Sequence, residues 1–362
     1  MKHRERVQIA LQHCNPDRCP MNIGFTPEFR VRLRTYLEQH GYLMTSDDSI
    51  YEIERAIDED MLITYVGWAL SYYQEGESYV DEWGVHWKSV YHNTRYGRGH
   101  YTEMVEHPLA DDSALETYQP PDPNRPELYK EAERTIRNFK EDYWIVGATV
   151  TTIFECAWAL RGYENLLMDL ALRPDIGNFI LDIPYNYHLA VAKRLVEMGV
   201  DMIWIGDDMG SQNSMLISPA YWRKYFKPRM SNFINEIKKI NPQLKVAYHS
   251  DGYIYPIIPE LIEIGVDVLN PIQPGCMDPA QLKKEFGDRL CFWGSIDIQQ
   301  TLPFGTPTQV RNEVLERLNT LGKDGGLIIG PTHNVQLDTP LNNFWAMVET
   351  ITHERPQRNI EL

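Results

Sequence analysis

Two histidines and several carboxylates occupy positions from which they could serve one reaction. His249-Ser250-Asp251-Gly252 follows an apolar run that ends at Tyr248, and His333 stands in Pro331-Thr332-His333-Asn334 after another such run. In extended backbone His249 and Asp251, two residues apart, point to the same side. Two neutral imidazoles and a carboxylate form a donor set for a catalytic zinc that keeps one position open to substrate. The same groups also suit hydrogen-bonded loop residues that organise a pocket mouth, and no His-Glu-x-x-His signature marks a metal. Asp207-Asp208 offers a general acid/base pair, support for His249, or caps for the following turn. Cys276 either joins the metal set as a thiolate or stays a thiol. His13-Cys14 with Cys19 lacks a second pair of ligands and reads as loop, while Cys156 and Cys291 read as core.

Residues so far apart meet only if regular elements bring them together. Strand-like runs at Met202–Ile205, Lys245–Tyr248, Asp267–Leu269, Leu290–Trp293 and Leu327–Ile329 alternate with helical patterns. Ser218-Pro219, Asp278-Pro279, Thr306-Pro307 and Thr339-Pro340 read as helix starts. The phrase Val196-Glu-Met-Gly-Val-Asp201 returns as Ile262-Glu-Ile-Gly-Val-Asp267, each a helix end, a glycine cap and entry into a buried strand. With Met21–Phe25, Met61–Val66 and Trp144–Val150 the strands number eight, which predicts a single (β/α)8 TIM barrel spanning residues 1–362. In such a barrel polar residues just after the strands converge on one site. Trp68, Asn270, Gln273, Asp297 and Asn334 are accordingly expected to bind substrate. No Gly-x-Gly-x-x-Gly follows a strand, which removes the main support for a dinucleotide site. An aromatic-rich insertion at about 68–142, after an early strand, either covers the barrel mouth or forms a satellite core.

Bulk properties narrow the partners. The formal charge of −16 argues against nucleic acid or anionic membrane, and makes a polyanionic substrate unfavourable. No apolar run approaches the roughly eighteen residues of a membrane span. The charged start Met1–Arg6 leads into no signal-peptide core, so a cytoplasmic location is expected. Five scattered cysteines do not read as a disulfide framework.

With these residues in view, the chain resembles the uroporphyrinogen decarboxylase (URO-D)-like superfamily, in its corrinoid-dependent methyltransferase branch. The matching segments include Arg4-Glu-Arg-Val, Asp81-Glu-Trp-Gly, Ala157-Trp-Ala-Leu-Arg-Gly-Tyr-Glu164 and Gly206-Asp-Asp-Met-Gly-Ser-Gln212. Others are His249 through Asn270-Pro-Ile-Gln273, Gly294-Ser-Ile-Asp297, Gly330-Pro-Thr-His-Asn-Val-Gln336 and Asp338-Thr-Pro340. The resemblance implies one barrel, with the insertion inside it, and a homodimer. Decarboxylases of this family grip a polycarboxylate tetrapyrrole through an arginine-rich segment after the first strand. Here that stretch is Gly24-Phe25-Thr26-Pro27-Glu28-Phe29-Arg30, and Gly67-Trp68 stands where their aspartate would be. The methyltransferases bind zinc through His-x-Cys and a later Cys; His249-Ser250-Asp251 matches the first with aspartate for cysteine, and His333 lies near the second. The resemblance therefore implies zinc on His249, Asp251 and His333, with Asp207 and Asp208 in proton or ligand-orienting roles. A methyl group would pass from a small donor, such as an O-methyl aromatic, to a cobalt(I) corrinoid carried on a partner protein. A cofactor-free uroporphyrinogen decarboxylase and a non-catalytic tetrapyrrole- or corrinoid-binding protein are the alternatives.

Overall fold

The computed structural model describes residues 1–42, 50–74 and 76–354. Ten strands form: β1 (Met61–Tyr65), β2 (Ser78–Val80), β3 (His86–Thr94), β4 (Gly97–Glu106), β5 (Trp144–Ala148), β6 (Met202–Gly206), β7 (Lys245–His249), β8 (Val268–Asn270), β9 (Cys291–Ile296) and β10 (Leu327–Pro331). Seven of them make one parallel sheet in the order β1-β5-β6-β7-β8-β9-β10. Strands covered on both faces should be apolar throughout, which is how β5 and β10 read; β9 is likewise buried at every position and carries one polar residue, Ser295.

Alternation decides what each face packs against. Met61, Trp144, Val146, Met202, Ala247, Val268, Cys291, Trp293 and Ile328, drawn from all seven strands, form one buried cluster with Val7 and Leu11. Side chains of the first and last strands can share a cluster with those of the middle only if the sheet curls around them. The neighbouring residues Leu62, Ile145, Ile203, Val246, Leu269, Phe292 and Ile329 belong to the larger core shared with the helices. Val7, in the helix His3–Ala10, and Leu11 at its end cap the interior, each contributing about 1.5–3 kcal/mol by leaving water.

The eighth strand, expected at Met21–Phe25, is not formed as a strand. Met21 bridges Ile329 and Phe25 bridges Val335, each in isolation. Asn22 N–H donates to Ile329 (3.1 Å), Ile329 N–H to Pro20 (2.8 Å), and Asp60 N–H to Met21 (3.0 Å). The segment thus touches β10 and the start of β1 without a continuous ladder to either. Pro20 has no N–H to donate, and Gly24 is a poor strand former. At the close approach to β10 only glycine fits, because a Cβ on Gly330 would lie 2.0 Å from the Asn22 carbonyl oxygen.

Between β1 and β5 the chain builds the aromatic insertion, whose β2, β3 and β4 form an antiparallel sheet. The Asp81 carboxylate accepts from the N–H groups of Trp83 and Val85 (both 2.9 Å) and from Trp87 Nε1 (2.8 Å). Trp68, Trp83 and Trp87 are fully buried and join the large core. His188, in the helix Pro174–Met198, donates from Nδ1 to the Thr152 carbonyl (2.8 Å) and accepts the Trp68 N–H at Nε2 (3.2 Å). Burial pushes this imidazole down to about 4, so it is neutral, as both bonds require. The insertion's tryptophans belong to the large core and form no satellite of their own, while Ala69, Leu70, Tyr72 and Tyr73 line the cavity described below. No helix among the described residues is long and apolar enough to cross a membrane.

At the closed end, charge joins what the missing ladder does not. Asp60, fully buried, receives Arg6 (2.6 Å), Arg18 (2.6 Å), His3 Nδ1 (2.9 Å) and the Met21 N–H (2.8 Å). Removing one partner of such a group leaves uncompensated buried charge. Asp60→Asn, which keeps the size but not the charge, is expected to lower unfolding stability in urea by about 3–5 kcal/mol. A loss under about 1 kcal/mol would show that the network does not hold this flank.

Candidate functional site

The parallel register places the site. Gly206 at the end of β6 pairs with His249 at the end of β7, and His249 pairs with Asn270 at the end of β8. Gly206 has φ +132°, and a Cβ there would lie 2.1 Å from the His249 carbonyl oxygen, so no side chain separates the two strand ends. Asn270 Nδ2 donates to the Trp293 carbonyl (3.3 Å), which turns its Oδ1 toward His249 Nδ1 at 2.8 Å. His249 therefore carries its proton on Nδ1 and leaves the Nε2 lone pair free, 3.5 Å from Asp208 Oδ1. The Asp251 N–H donates to Asp208 Oδ1 (2.8 Å). One ligand atom from each of Asp208, His249 and Asp251 lies within 4.8 Å of the others, the geometry of a cation site.

Electrostatics inside this cluster are strained. Burial raises the Asp251 carboxyl and nearby Asp208 adds to the rise, while His249 and His333 oppose it. Glu155, whose Oε2 accepts the Asp208 N–H (3.1 Å), is held well above the ordinary range by burial, then by Asp208 and Asp207. Both causes favour the protonated form of this carboxyl.

The adjacent aspartates part company. Asp207 is buried, and its carboxylate accepts from the N–H groups of Ile153 (3.0 and 3.1 Å) and Glu155 (3.2 Å), at the start of the helix Phe154–Arg161. Its acceptors are committed to the loop after β5, and it stands outside the cavity lining. Asp208 alone of the pair reaches the cluster.

A cavity of about 530 Å³ opens beside the cluster. His249, Asp208, Glu155, Asn270, His333 and Asn334 line it, with Tyr65, Tyr72, Trp204 and Trp293 as aromatic walls. Of the residues expected to bind substrate, Asn270 and Asn334 face this space. Trp68 is buried against Trp83 (5.8 Å) and Trp87 (5.7 Å) instead. Gln273 Oε1 accepts the Gly252 N–H (3.0 Å) and so braces the loop that carries Asp251. Asp297 accepts the Gln299 N–H (2.7 Å) as a turn cap. His333 shares the cavity but lies outside the three-residue cluster, and Cys276, whose thiol donates to Gln212 Oε1 (3.3 Å), is not one of its members either. Glu155 was legible only as one polar residue in the loop after β5. Glu59, Glu54 and Arg30, which also line the cavity, carried no signal because they lie ahead of β1.

The Asp207 geometry makes a signed prediction. Burial raises this carboxyl from 3.8 to about 6, so the stability it lends is full below about 3.8 and is lost as pH rises through about 6. The native chain should lose stability relative to Asp207→Asn across that window, read by urea unfolding at several pH values. Asp207→Ala, which removes the acceptor as well as the titrating group, should share the pH profile of Asp207→Asn and lie about 1–2 kcal/mol below it. A pH-independent difference between native chain and Asp207→Asn would contradict the assignment.

Comparison with known proteins adds the lineage. Residues 93–354 match the family model "Uroporphyrinogen decarboxylase (URO-D)". Among curated proteins the chain is 27% identical over 177 residues to a Methanosarcina barkeri methylcobamide:CoM methyltransferase, covering 49% of this chain and 48% of that one. It is 25% identical over 202 residues to a methylated-thiol–coenzyme M methyltransferase from Methanosarcina mazei (55% and 50%). It is 27% identical over 162 residues to the Chlorobium phaeobacteroides uroporphyrinogen decarboxylase (44% of each). The chain thus spans about half the length of the curated relatives it matches. A solved methyltransferase from Methanosarcina mazei shares the fold, with a TM-score of 0.67 at 18% identity over 97% of this chain and 98% of that one. A matched segment that covers most of the chain and includes every residue of the Asp208–His249–Asp251 cluster makes this protein a member of the uroporphyrinogen decarboxylase (URO-D) family.

Proposed function

We propose that this chain is a zinc- and corrinoid-dependent methyltransferase that moves a methyl group from a small methylated donor, an O-methyl aromatic, to a cobalt(I) corrinoid. The observation that carries the reading is the Asp208–His249–Asp251 cluster beside the cavity. The donor set suits zinc: one imidazole nitrogen with a free lone pair and two carboxylates whose crowding a divalent cation relieves. Asp208, His249 and Asp251 would hold it, and His333, part of the set expected from sequence, would face the donor. Bound there, zinc supplies Lewis acidity at the donor oxygen.

The chain's own residues do the rest. Asn270 holds the His249 tautomer, a role that commonly accounts for ten- to hundred-fold in metal affinity. Tyr72, Trp204 and Trp293 offer flat walls for an aryl ring. Glu155, with Oε2 occupied by the Asp208 N–H, keeps its proton on Oε1. Glu155 in its protonated form would serve as the acid for the departing oxygen of the donor, while the corrinoid, when bound, would supply the nucleophile that takes the methyl group. The decarboxylase reading fits less well, because Arg30, the one lysine or arginine in the cavity lining among the described residues, is already paired with Glu54, which leaves no arginine grip for a polycarboxylate tetrapyrrole. In this reading residues 1–362 act as one unit, as a cytoplasmic homodimer that meets its corrinoid on a partner protein.

The test is metal analysis beside a spectroscopic assay for conversion of cob(I)alamin to methylcobalamin with aryl methyl ethers. The native chain should hold near-stoichiometric zinc. His249→Ala and Asp208→Ala should lose it and slow methyl transfer at least about a hundred-fold. Asn270→Ala should weaken zinc binding about ten- to hundred-fold. A protein that takes up no zinc from zinc-replete buffer, or that decarboxylates uroporphyrinogen, would overturn the reading.

A further inference from the structure

The cavity does not end at the metal-binding cluster. It runs to the flank between the Asn22–Phe25 segment and β1, where Arg30, Glu54 and Glu59 line it. His249 closes the C-terminal end of β7, whereas Glu59 stands before the N-terminal end of β1, three places away in the sheet order. At strand spacings of about 4.8 Å the two poles are on the order of 10 Å apart or more.

Glu59 is fully buried, with Oε2 accepting from Asn22 Nδ2 at 2.8 Å. Its Oε1 is buried and has no hydrogen-bond partner. An unpaired buried oxygen of this kind is costly to leave unmet, and a ligand donor can relieve it. The neighbouring cation does not meet it: Arg30 makes a two-pronged pair with Glu54 (2.6 and 3.0 Å). Arg30 is also the one lysine or arginine in the cavity lining among the described residues. With Arg30 committed to Glu54, a cation arriving beside Glu59 would be the charge partner of its carboxylate, and the rings of Tyr51 and Tyr65 in the same lining favour a cation.

We propose that this pole binds an ammonium group at the distal end of the methyl donor, with Glu59 Oε1 as its acceptor, while the donor's methyl-bearing end reaches the Asp208–His249–Asp251 cluster. The proposal rests on the methyl-transfer reading for the identity of the ligand. It also explains why a carboxylate stands where the fold could bury an apolar residue. Burial pushes the Glu59 carboxyl well above the ordinary range, and an ammonium bound at Oε1 opposes that rise and favours release of the proton to solvent.

The test is calorimetric binding of three aryl methyl ethers of one shape: 3-methoxybenzylamine, 3-methoxybenzyl alcohol and 3-methoxybenzoate. The amine should bind about 10- to 100-fold more tightly than the alcohol, with the benzoate weakest. Heats measured in two buffers of different ionisation enthalpy should show proton release with the amine only. Glu59→Gln should abolish the amine's advantage while zinc content stays at the native level. Arg30→Gln, which frees Glu54, should enlarge that advantage and keeps the proposal testable if Glu59→Gln does not fold. Equal affinities, preference for the benzoate, no binding by any of the three, or a preference that survives Glu59→Gln would each overturn it. Failure of the metal reading looks different: zinc is then absent while the charge preference and its loss in Glu59→Gln persist.

Discussion

The open flank of the parallel sheet is the constraint on which the rest of the structure depends. Seven strands curl around an interior core, and the segment that should complete the ring touches its neighbours through isolated backbone bonds only. At the closed end the flank is held by the Asp60 carboxylate, which gathers two arginines, a histidine and a backbone N–H. Higher up, no ladder and no such cluster fill the space, and the cavity spreads between Ile23, Phe25 and the inward side chains of β1. One departure from the regular barrel therefore gives the pocket both its volume and its reach toward Glu59.

Chemistry at the other pole comes from register. Parallel pairing brings the ends of β6, β7 and β8 side by side, so Asp208, His249 and Asn270 need no long loops to meet. Each backbone N–H here orients a carboxylate: Asp251 to Asp208, Asp208 to Glu155, Ile153 to Asp207. Consecutive aspartates thereby acquire opposite duties, one stabilising a helix start and one facing the cavity. A group that carries charge in a buried site must be compensated or neutralised. Asp207 is compensated by amides, burial favours the protonated form of Glu155, and the Asp251 N–H donates to Asp208.

The aromatic insertion links these parts mechanically. His188 bonds the Trp68 backbone on one side and the Thr152 carbonyl on the other, so the tryptophan core and the loop leading to Glu155 share one rigid support. A cavity walled by packed aromatic groups and carboxylates favours flat, electron-poor or cationic ligands over polyanions.

Much of this was legible without coordinates. Alternating apolar runs, proline-marked helix starts and repeated glycine caps determined the α/β architecture, since these patterns are local consequences of side-chain shape and backbone freedom. Because strand ends converge in such a fold, His249, Asp251, Asn270, Asn334 and His333 could be assigned to one region from their positions alone. Sequence could not separate Asp207 from Asp208, because which of two adjacent carboxylates meets an amide depends on where the loop after β5 lies. Nor could it show that Trp68, Gln273 and Asp297 support the scaffold, or that Met21–Phe25 stops short of a strand. Those outcomes rest on packing and hydrogen bonds between residues distant in the chain. The partnerless oxygen of Glu59 is the clearest case: burial is a property of the folded surroundings, and the tertiary structure alone decided it.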